Sequence, residues 1–380
     1  MKICAVICEY NPFHKGHQYH LSEAKRLSGA DAVLCIMSGN FVQRGDAAIM
    51  DKFTRAKHAV LGGADIVIEL PTIFATSNAE LFAKGAISIL SSIPEVTTLC
   101  FGAETDNKDA FLQTANLLNN EPEEISQSIK ALTSEGISYA KARATAWKSF
   151  LPCNLLTSPN NILGVEYTRA ILAKNANIDI LPIKRMGGGY NDNELSDTFS
   201  SASAIRAAIS TDKTIEDAVP DFVNVDLPNQ LTDKLDCLEK YAILSRMETE
   251  IARTCDCTEG LENAFKKAAL QDKSLSDSLT STRYTSSRIR RIALQNLLKI
   301  EESFIRKALQ SPLYLRVLAT KKDSTEALSA LSRASLPLLT RAHDETSLCG
   351  VAKKAYEIDR YAENVHGLLY SPYHNRTIFI

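Results

Sequence analysis

The sequence predicts an α/β fold, with a parallel sheet over residues 1–210 followed by a mainly α-helical segment over 211–380. Three observations carry that reading. Short, almost wholly apolar runs recur through the first half, each ending in a Gly, a Pro or a polar loop. Stretches of helical length separate them, and this alternation is expected of a parallel sheet. From about Asp212 the strand signal fades, and helical patterns dominate through Arg360 with polar breaks near Pro220, Pro228 and Pro312. A chain of 380 residues has room for two domains, and the change of pattern places their boundary near Ser210.

Lys2 to Cys8 is rich in aliphatic and β-branched residues and reads as a buried parallel strand. His14 to Leu27 follows as a helix, then Ala32 to Met37 as a strand. A loop with Gly39, Arg44 and Gly45 precedes a helix from Asp51 to Leu61. Ala64 to Leu70 is a third strand ending at Pro71, Glu80 to Leu90 a helix, and Val96 to Phe101 a fourth strand ending at Gly102. A helical interval covers Asp109 to Phe150. Pro159 sits where helix starts tolerate proline, ahead of a helix from Ile162 to Lys174. Ile178 to Ile183 is a fifth strand, followed by Lys184, Arg185 and a Gly187-Gly188-Gly189 loop. A short helix containing Arg206 then follows Ser201-Ala202-Ser203.

Charge and composition narrow the function. Lys plus Arg number 43 and Asp plus Glu 45, a net of −2, which excludes a globally basic nucleic-acid coat. The balance is uneven along the chain. Thr211 to Asp272 holds 7 basic and 14 acidic residues, whereas Lys273 to Lys322 holds 11 basic and 3 acidic. The second segment is an electrostatic footprint suited to a polyanion, although charge runs are more often solvated helix faces. No apolar run approaches the ~18 residues of a membrane-spanning helix, and Met1 to Ile7 reads as a strand rather than a signal peptide. Nine cysteines, an odd number in a chain able to build its own core, predict reduced thiols and a cytoplasmic location. Cys255 and Cys257 have no partners at zinc-ligand spacing.

The densest chemistry is the run Ile7-Cys8-Glu9-Tyr10-Asn11-Pro12-Phe13-His14-Lys15-Gly16-His17-Gln18-Tyr19-His20. It ends a buried strand and opens a helix, where open α/β sheets bind ligands and where free N–H groups and the helix dipole attract phosphate. His14 and His17, three apart, share a helix face and both offer hydrogen bonds to phosphate oxygens. Gly16 between them would let a sugar or base approach the main chain. A lone histidine there would ordinarily be a cap or a core residue, and a zinc reading of His14, His17 and His20 leaves Cys8 and Glu9 off the shared face.

Other strand ends and helix starts add polar groups. Ser38 to Asp46 would bind an acid, a triphosphate or an acceptor, or form a tight surface turn. Lys52 and Arg55 share a face, and either would reach phosphate or lie in solvent. Gly102 would let adenine stack on the main chain. Asn160 would read the base or ribose, or the segment would merely cap its helix. Arg185 is placed for phosphate.

The H-x-G-H run resembles the signature of the HxGH nucleotidyltransferase superfamily, which includes the class I aminoacyl-tRNA synthetases. Ser201-Ala202-Ser203-Ala204-Ile205-Arg206 resembles the S-x-S-x-x-R element that grips β- and γ-phosphates there. E-Y-N-P-F-H-x-G-H near residue 9, S-G-N-F-x-Q-R-G near 38, I-E-L-P at 68–71, P-N-N-I-L-G near 159, S-A-S-x-I-R near 201 and R-Y-T-S-S-R-I-R-R at 283–291 together are similar to the bacterial tRNA(Met) cytidine acetate ligases. The resemblance covers most of the chain. It implies a Rossmann-like nucleotidyltransferase domain, residues 1–210, that activates acetate with ATP and Mg²⁺, and a helical tRNA-binding domain, residues 211–380. It implies formation of acetyl-adenylate and acetylation of N4 of the wobble cytidine of elongator tRNA(Met), with no tightly bound cofactor and no membrane partner. The implied catalytic residues are His14, His17 and Arg206. The implied ATP contacts are Ile7 to His20, Gly102, Asn160, Arg185, Ser201 and Ser203. Arg283, Arg288, Arg290 and Arg291 would bind RNA phosphates and Tyr284 would stack on a base, unless the arginines pair with the acidic segment before them. A small-molecule adenylyltransferase of the same superfamily would share the H-x-G-H site but need no basic helical segment.

Overall fold

The structure, a computed structural model, describes residues 1–137, 142, 145–147, 150–151, 155–185, 199–211, 213–225, 231–370 and 377–380. The Gly187–Gly189 loop lies outside them. Five parallel strands form where the apolar runs place them: β1 (Ile3–Cys8), β2 (Ala32–Ser38), β3 (Ile66–Leu70), β4 (Val96–Ala103) and β5 (Asp179–Lys184). Every residue of β2 and β3 is buried, as required of strands covered by helices on both faces. β1 pairs with β2 on one side and β4 on the other, and the order across the sheet is β5-β4-β1-β2-β3. The chain therefore reverses its direction of growth between β1 and β4. At such a switch point the loops above the strand ends part and leave a crevice.

Local signals set the helices. Helix Lys15–Ser28 ends at Gly29 in the left-handed conformation, φ +61°. Asp51 caps helix Lys52–Leu61 by accepting from the amides of Phe53 and Thr54. Pro159 stands at the first position of helix Pro159–Lys174. The helical interval after Asp109 contains Lys108–Asn119 and Glu123–Ser134, broken at Pro122. Helices Ala79–Leu90, Lys108–Asn119 and Pro159–Lys174 pack on one face of the sheet and Lys15–Ser28 and Lys52–Leu61 on the other, each burying a continuous apolar layer.

The second half fits its mainly helical expectation but also carries strands that expectation did not include. It is largely helical, but β6 (Leu315–Thr320) returns to pair antiparallel with β3, and β7 (Leu338–Leu339) and β8 (Ile378–Phe379) pair with β6. β6 is a six-residue run with Arg316 near its start, a charge that breaks the apolar pattern of a buried strand. That arginine is buried because Glu69 and Glu363 meet it at 2.9 and 2.7 Å. Among the described residues no helix is long and apolar enough to cross a membrane.

Candidate active site

A cavity of about 780 Å³ opens above the ends of β1, β4 and β5. After β1 the chain turns sharply, with Tyr10 at φ +46°, a conformation costly for a bulky side chain. Arg206 donates to the Asn11 carbonyl at 2.6 Å, and Asn11 accepts from the Ile49 amide at 2.9 Å. The turn is thus braced from two sides. Phe13 is fully buried and meets the Tyr10 ring edge-on at 5.0 Å.

That bracing sets the two imidazoles. His14 and His17 stack with ring centres 3.5 Å apart, and the His14 amide donates to His17 Nδ1 at 3.3 Å. This leaves His17 Nε2 to carry the ring proton as a donor. Among the described residues His14 Nδ1 is buried without a partner. Gly16 serves the histidine before it serves any ligand: a Cβ there would stand 3.0 Å from His14 Cε1 and 3.5 Å from Phe199.

The three histidines are neutral. Burial, then the charges of Arg185 and Arg206, pushes His14 down to about 3. Burial and Arg185 bring His20 to about 4, and burial with His14, His20 and Arg185 takes His17 well below its usual value. The positive charge of the site therefore comes from arginines and Lys184 rather than from the imidazoles. Arg44, Arg185, Arg206 and Arg290 all line the cavity. Glu9 lies among them, raised by burial against the Gln43 amide at 2.7 Å and the charges of Arg206, Arg55 and Arg44.

A smaller recess of about 130 Å³ joins His14, His17, Arg44, Asp46, Arg185 and Arg206 to Ser201 and Ser203. Ser201 caps helix Ala202–Ile209, accepting from the Ala204 amide at 3.0 Å, and its O–H donates to no partner among the described residues. Ser203 Oγ accepts from Arg206 at 3.2 Å.

The cavity unites most of the expected nucleotide residues. Ile7, Cys8, Glu9, Tyr10, Asn11, His14, Gly16, His17, Tyr19, His20, Gly102, Asn160, Arg185 and Arg206 line it. Pro12, Phe13, Lys15 and Gln18 do not; Lys15 Nζ instead reaches the Glu216 carbonyl at 3.5 Å. Lys52 and Arg55, expected at the phosphates or in solvent, are core residues. Lys52 pairs with Glu69 at 2.6 Å and Glu363 at 2.5 Å, and Arg55 donates to the carbonyls of Glu9, Ser38, Gly39 and Met50. Arg55 thereby fixes the ends of β1 and β2 from below.

The basic stretch divides. Thr285 to Ser287, Arg290 and Arg291 reach the cavity from helix Ser286–Leu297. Arg290 meets Asp46 at 3.1 Å and the Arg44 carbonyl at 3.3 Å, and Arg291 meets Asp256 at 3.6 Å. Arg283, Tyr284 and Arg288 stay outside it. Arg283 and Tyr284 both bond Glu259, at 2.8 and 3.0 Å, and Arg288 donates to the Asp256 carbonyl at 2.6 Å. Acidic partners from 211–272 thus hold part of the positive stretch, but the Arg283 pair is exposed and weak enough for a phosphate to compete. Cys255 and Cys257 are buried free thiols.

A family model described as HIGH Nucleotidyl Transferase matches residues 1–378. Curated relatives named tRNA(Met) cytidine acetate ligase include one from Clostridium perfringens (strain SM101 / Type A), 37% identical over 355 residues and 88% of each chain. Another, from Clostridium novyi (strain NT), is 38% identical over 360 residues and 89% of each chain. The chain belongs to the tRNA(Met) cytidine acetate ligase family of HIGH nucleotidyl transferases.

Two solved structures of Thermotoga maritima TmcAL, at 30% identity, match this ligase fold throughout. The apo form superposes with a TM-score of 0.89 over 100% of both chains, and the form bound with alpha-thio ATP with 0.87 over 100% of this chain and 99% of that one. Gln43, within the Ser38–Asp46 loop the sequence singles out, is pinned to the Ser77 carbonyl at 3.2 Å while its main-chain amide holds Glu9. Sequence reasoning missed Glu104. It accepts from Ser158 at 2.6 Å and Asn160 at 2.8 Å, so it orients Asn160 at the cavity wall. Glu104 stands in no spacing pattern, since its role comes from a strand end meeting a helix start in space.

Proposed function

We propose that this chain is an ATP-dependent acetate ligase that forms acetyl-adenylate and acetylates N4 of the wobble cytidine of elongator tRNA(Met). One observation carries the reading: the H-x-G-H turn and the basic helix Ser286–Leu297 line the same cavity. Adenylation and acyl transfer need such a shared space, because a free acyl-adenylate would hydrolyse before a distant acceptor met it.

An acetate oxygen attacks the α-phosphorus of ATP. The bond from that phosphorus to the α–β bridging oxygen breaks, and pyrophosphate leaves. His17 Nε2–H donates to the α-phosphoryl oxygens, His14 buttresses it by stacking, and Arg206 with Arg185 neutralises the leaving group. Ser201 and Ser203 hold the β- and γ-phosphates in the smaller recess. Gly102, Asn160 and the residues from Ile7 to His20 hold the rest of the nucleotide. Mg²⁺ arriving with ATP would supply further neutralisation of the phosphate charge that Arg185 and Arg206 face.

In the second step N4 of cytidine attacks the acyl carbon, AMP leaves, and the amine loses a proton. An anticodon base lies in a loop and reaches such a site by being splayed out. Arg290 and Arg291 guide its phosphates at the cavity mouth, with Arg283, Arg288 and Tyr284 extending the contact outward. On this reading residues 1–210 serve ATP and acetate and residues 211–380 serve tRNA, with β6 tying the second part to the first. The enzyme would work in the cytoplasm, beside its tRNA.

Incubation with ATP, labelled acetate and total tRNA, followed by nucleoside analysis, tests this. Labelled N4-acetylcytidine in elongator tRNA(Met) is expected. Acetate-dependent pyrophosphate release with unlabelled RNA would point instead to a small-molecule adenylyltransferase.

A further inference from the structure

Part of the cavity wall comes from the helices on the sheet face opposite helix Lys15–Ser28 and is apolar and aromatic. Ala79 and Phe82 from helix Ala79–Leu90, Leu163 and Tyr167 from helix Pro159–Lys174, and Phe101 from β4 form it. Tyr167 is 4% exposed, and its ring lies 5.9 Å from that of Phe101 and 6.4 Å from that of Phe82. Among the described residues its hydroxyl has no hydrogen-bond partner. Tyr167 lines the cavity, so its hydroxyl is available to donate to a ligand there. Burial, with Glu9 and Cys8 close by, raises the phenol so that it stays a protonated donor.

We infer that this part of the cavity is the carboxylic-acid subsite, in which the Tyr167 hydroxyl donates to one carboxylate oxygen of acetate and Phe82, Phe101 and Leu163 enclose its methyl group. The inference rests on the ligase reading and adds the residues that select the acid. A single O–H donor over an apolar wall suits a two-carbon carboxylate. A nucleobase edge would call for paired donors and acceptors, whereas on this cavity the Gln43 side-chain amide already donates to the Ser77 carbonyl and Glu9 accepts from the Gln43 amide. A carboxylate held by one neutral donor keeps its second oxygen free to attack the α-phosphorus at the H-x-G-H turn, whereas a guanidinium clamp would engage both oxygens. Cys8 ends β1 and Glu9 follows it, both near Tyr167, and the chain leads directly into that turn, so the acid and the nucleotide are held by neighbouring residues.

Acetate-dependent exchange of labelled pyrophosphate into ATP reads this subsite without tRNA. Tyr167→Phe should raise the KM for acetate about tenfold, the effect of losing one hydrogen bond to a charged group, with the KM for ATP within about twofold. Phe82→Ala should shift the ratio of kcat/KM for butyrate over acetate upward by at least about tenfold, a change that mere loosening of the fold would not produce. An unchanged acetate KM in Tyr167→Phe, or an unchanged acid preference in Phe82→Ala, would overturn the subsite while leaving the ligase standing. Absence of acetate-dependent exchange in the unaltered chain would overturn the ligase reading and the subsite with it.

Discussion

His17 Nδ1 accepts the amide hydrogen of His14 at 3.3 Å while the two rings stack at 3.5 Å. The motif thus orients one of its histidines with the other, and a neutral Nε2–H is presented to the cavity. Two imidazoles beside Arg185 and Arg206 could hardly both be charged, so the site keeps its hydrogen-bond donors neutral and its positive charge on arginines and Lys184.

Replacing that donor should stop the first chemical step. His17→Ala is expected to lower acetate-dependent pyrophosphate exchange by at least about a hundredfold, the scale seen when one transition-state donor is removed. Affinity for tRNA, measured by filter binding, should stay within about twofold. Parallel loss of both in a folded variant would contradict the separation of roles.

The depressed imidazoles also make a pH prediction. His14 titrates at about 3 in the folded chain and at 6.5 as a free side chain. Between those values the unfolded chain binds the extra proton, so this group makes stability fall as pH drops below about 6.5. His14→Asn removes the effect. Its unfolding free energy, followed by urea titration from pH 7 to 4, should decline less steeply than that of the parent by up to about 1.4 kcal/mol per pH unit. Parallel curves would show that His14 titrates normally.

Arg290 and Arg291 bring the basic helix to the cavity. Replacing both with Ala should weaken tRNA binding and reduce its salt dependence, with the slope of log K against log salt falling by up to about two. Pyrophosphate exchange should persist. A slope equal to that of the parent would mean that neither arginine meets a phosphate.

The contact between the two halves has a narrow point. Gly45 has φ +81°, and a Cβ on it would stand 2.5 Å from the Arg291 amide nitrogen. Gly45→Ala is therefore expected to cost at least roughly 1–3 kcal/mol from backbone strain and to displace helix Ser286–Leu297. Urea denaturation would show the first effect and slowed transfer to tRNA the second. An unaffected transfer rate would remove this helix from the acceptor site.

The legible part of the molecule was the part encoded locally. β1 to β5 are apolar runs because parallel strands are buried on both faces, and the H-x-G-H turn joins a strand end to a helix start within a few residues. The rest depends on distant partners. Lys52 and Arg55 have the spacing of a phosphate-facing pair, yet Glu69, Glu363 and main-chain carbonyls draw them into the core. β6 was hidden by Arg316, whose burial is tolerable only because those same carboxylates meet it. Tyr167 reads as an ordinary core residue of its helix until Phe82 and Phe101 are placed beside it.

Crystals grown with a non-hydrolysable analogue of acetyl-adenylate test the central claim most directly. The account predicts its phosphate within hydrogen-bond reach of His17 Nε2 and Arg206, with the acyl group directed toward Tyr167. An analogue bound elsewhere, with the His14–His17 turn vacant, would contradict it.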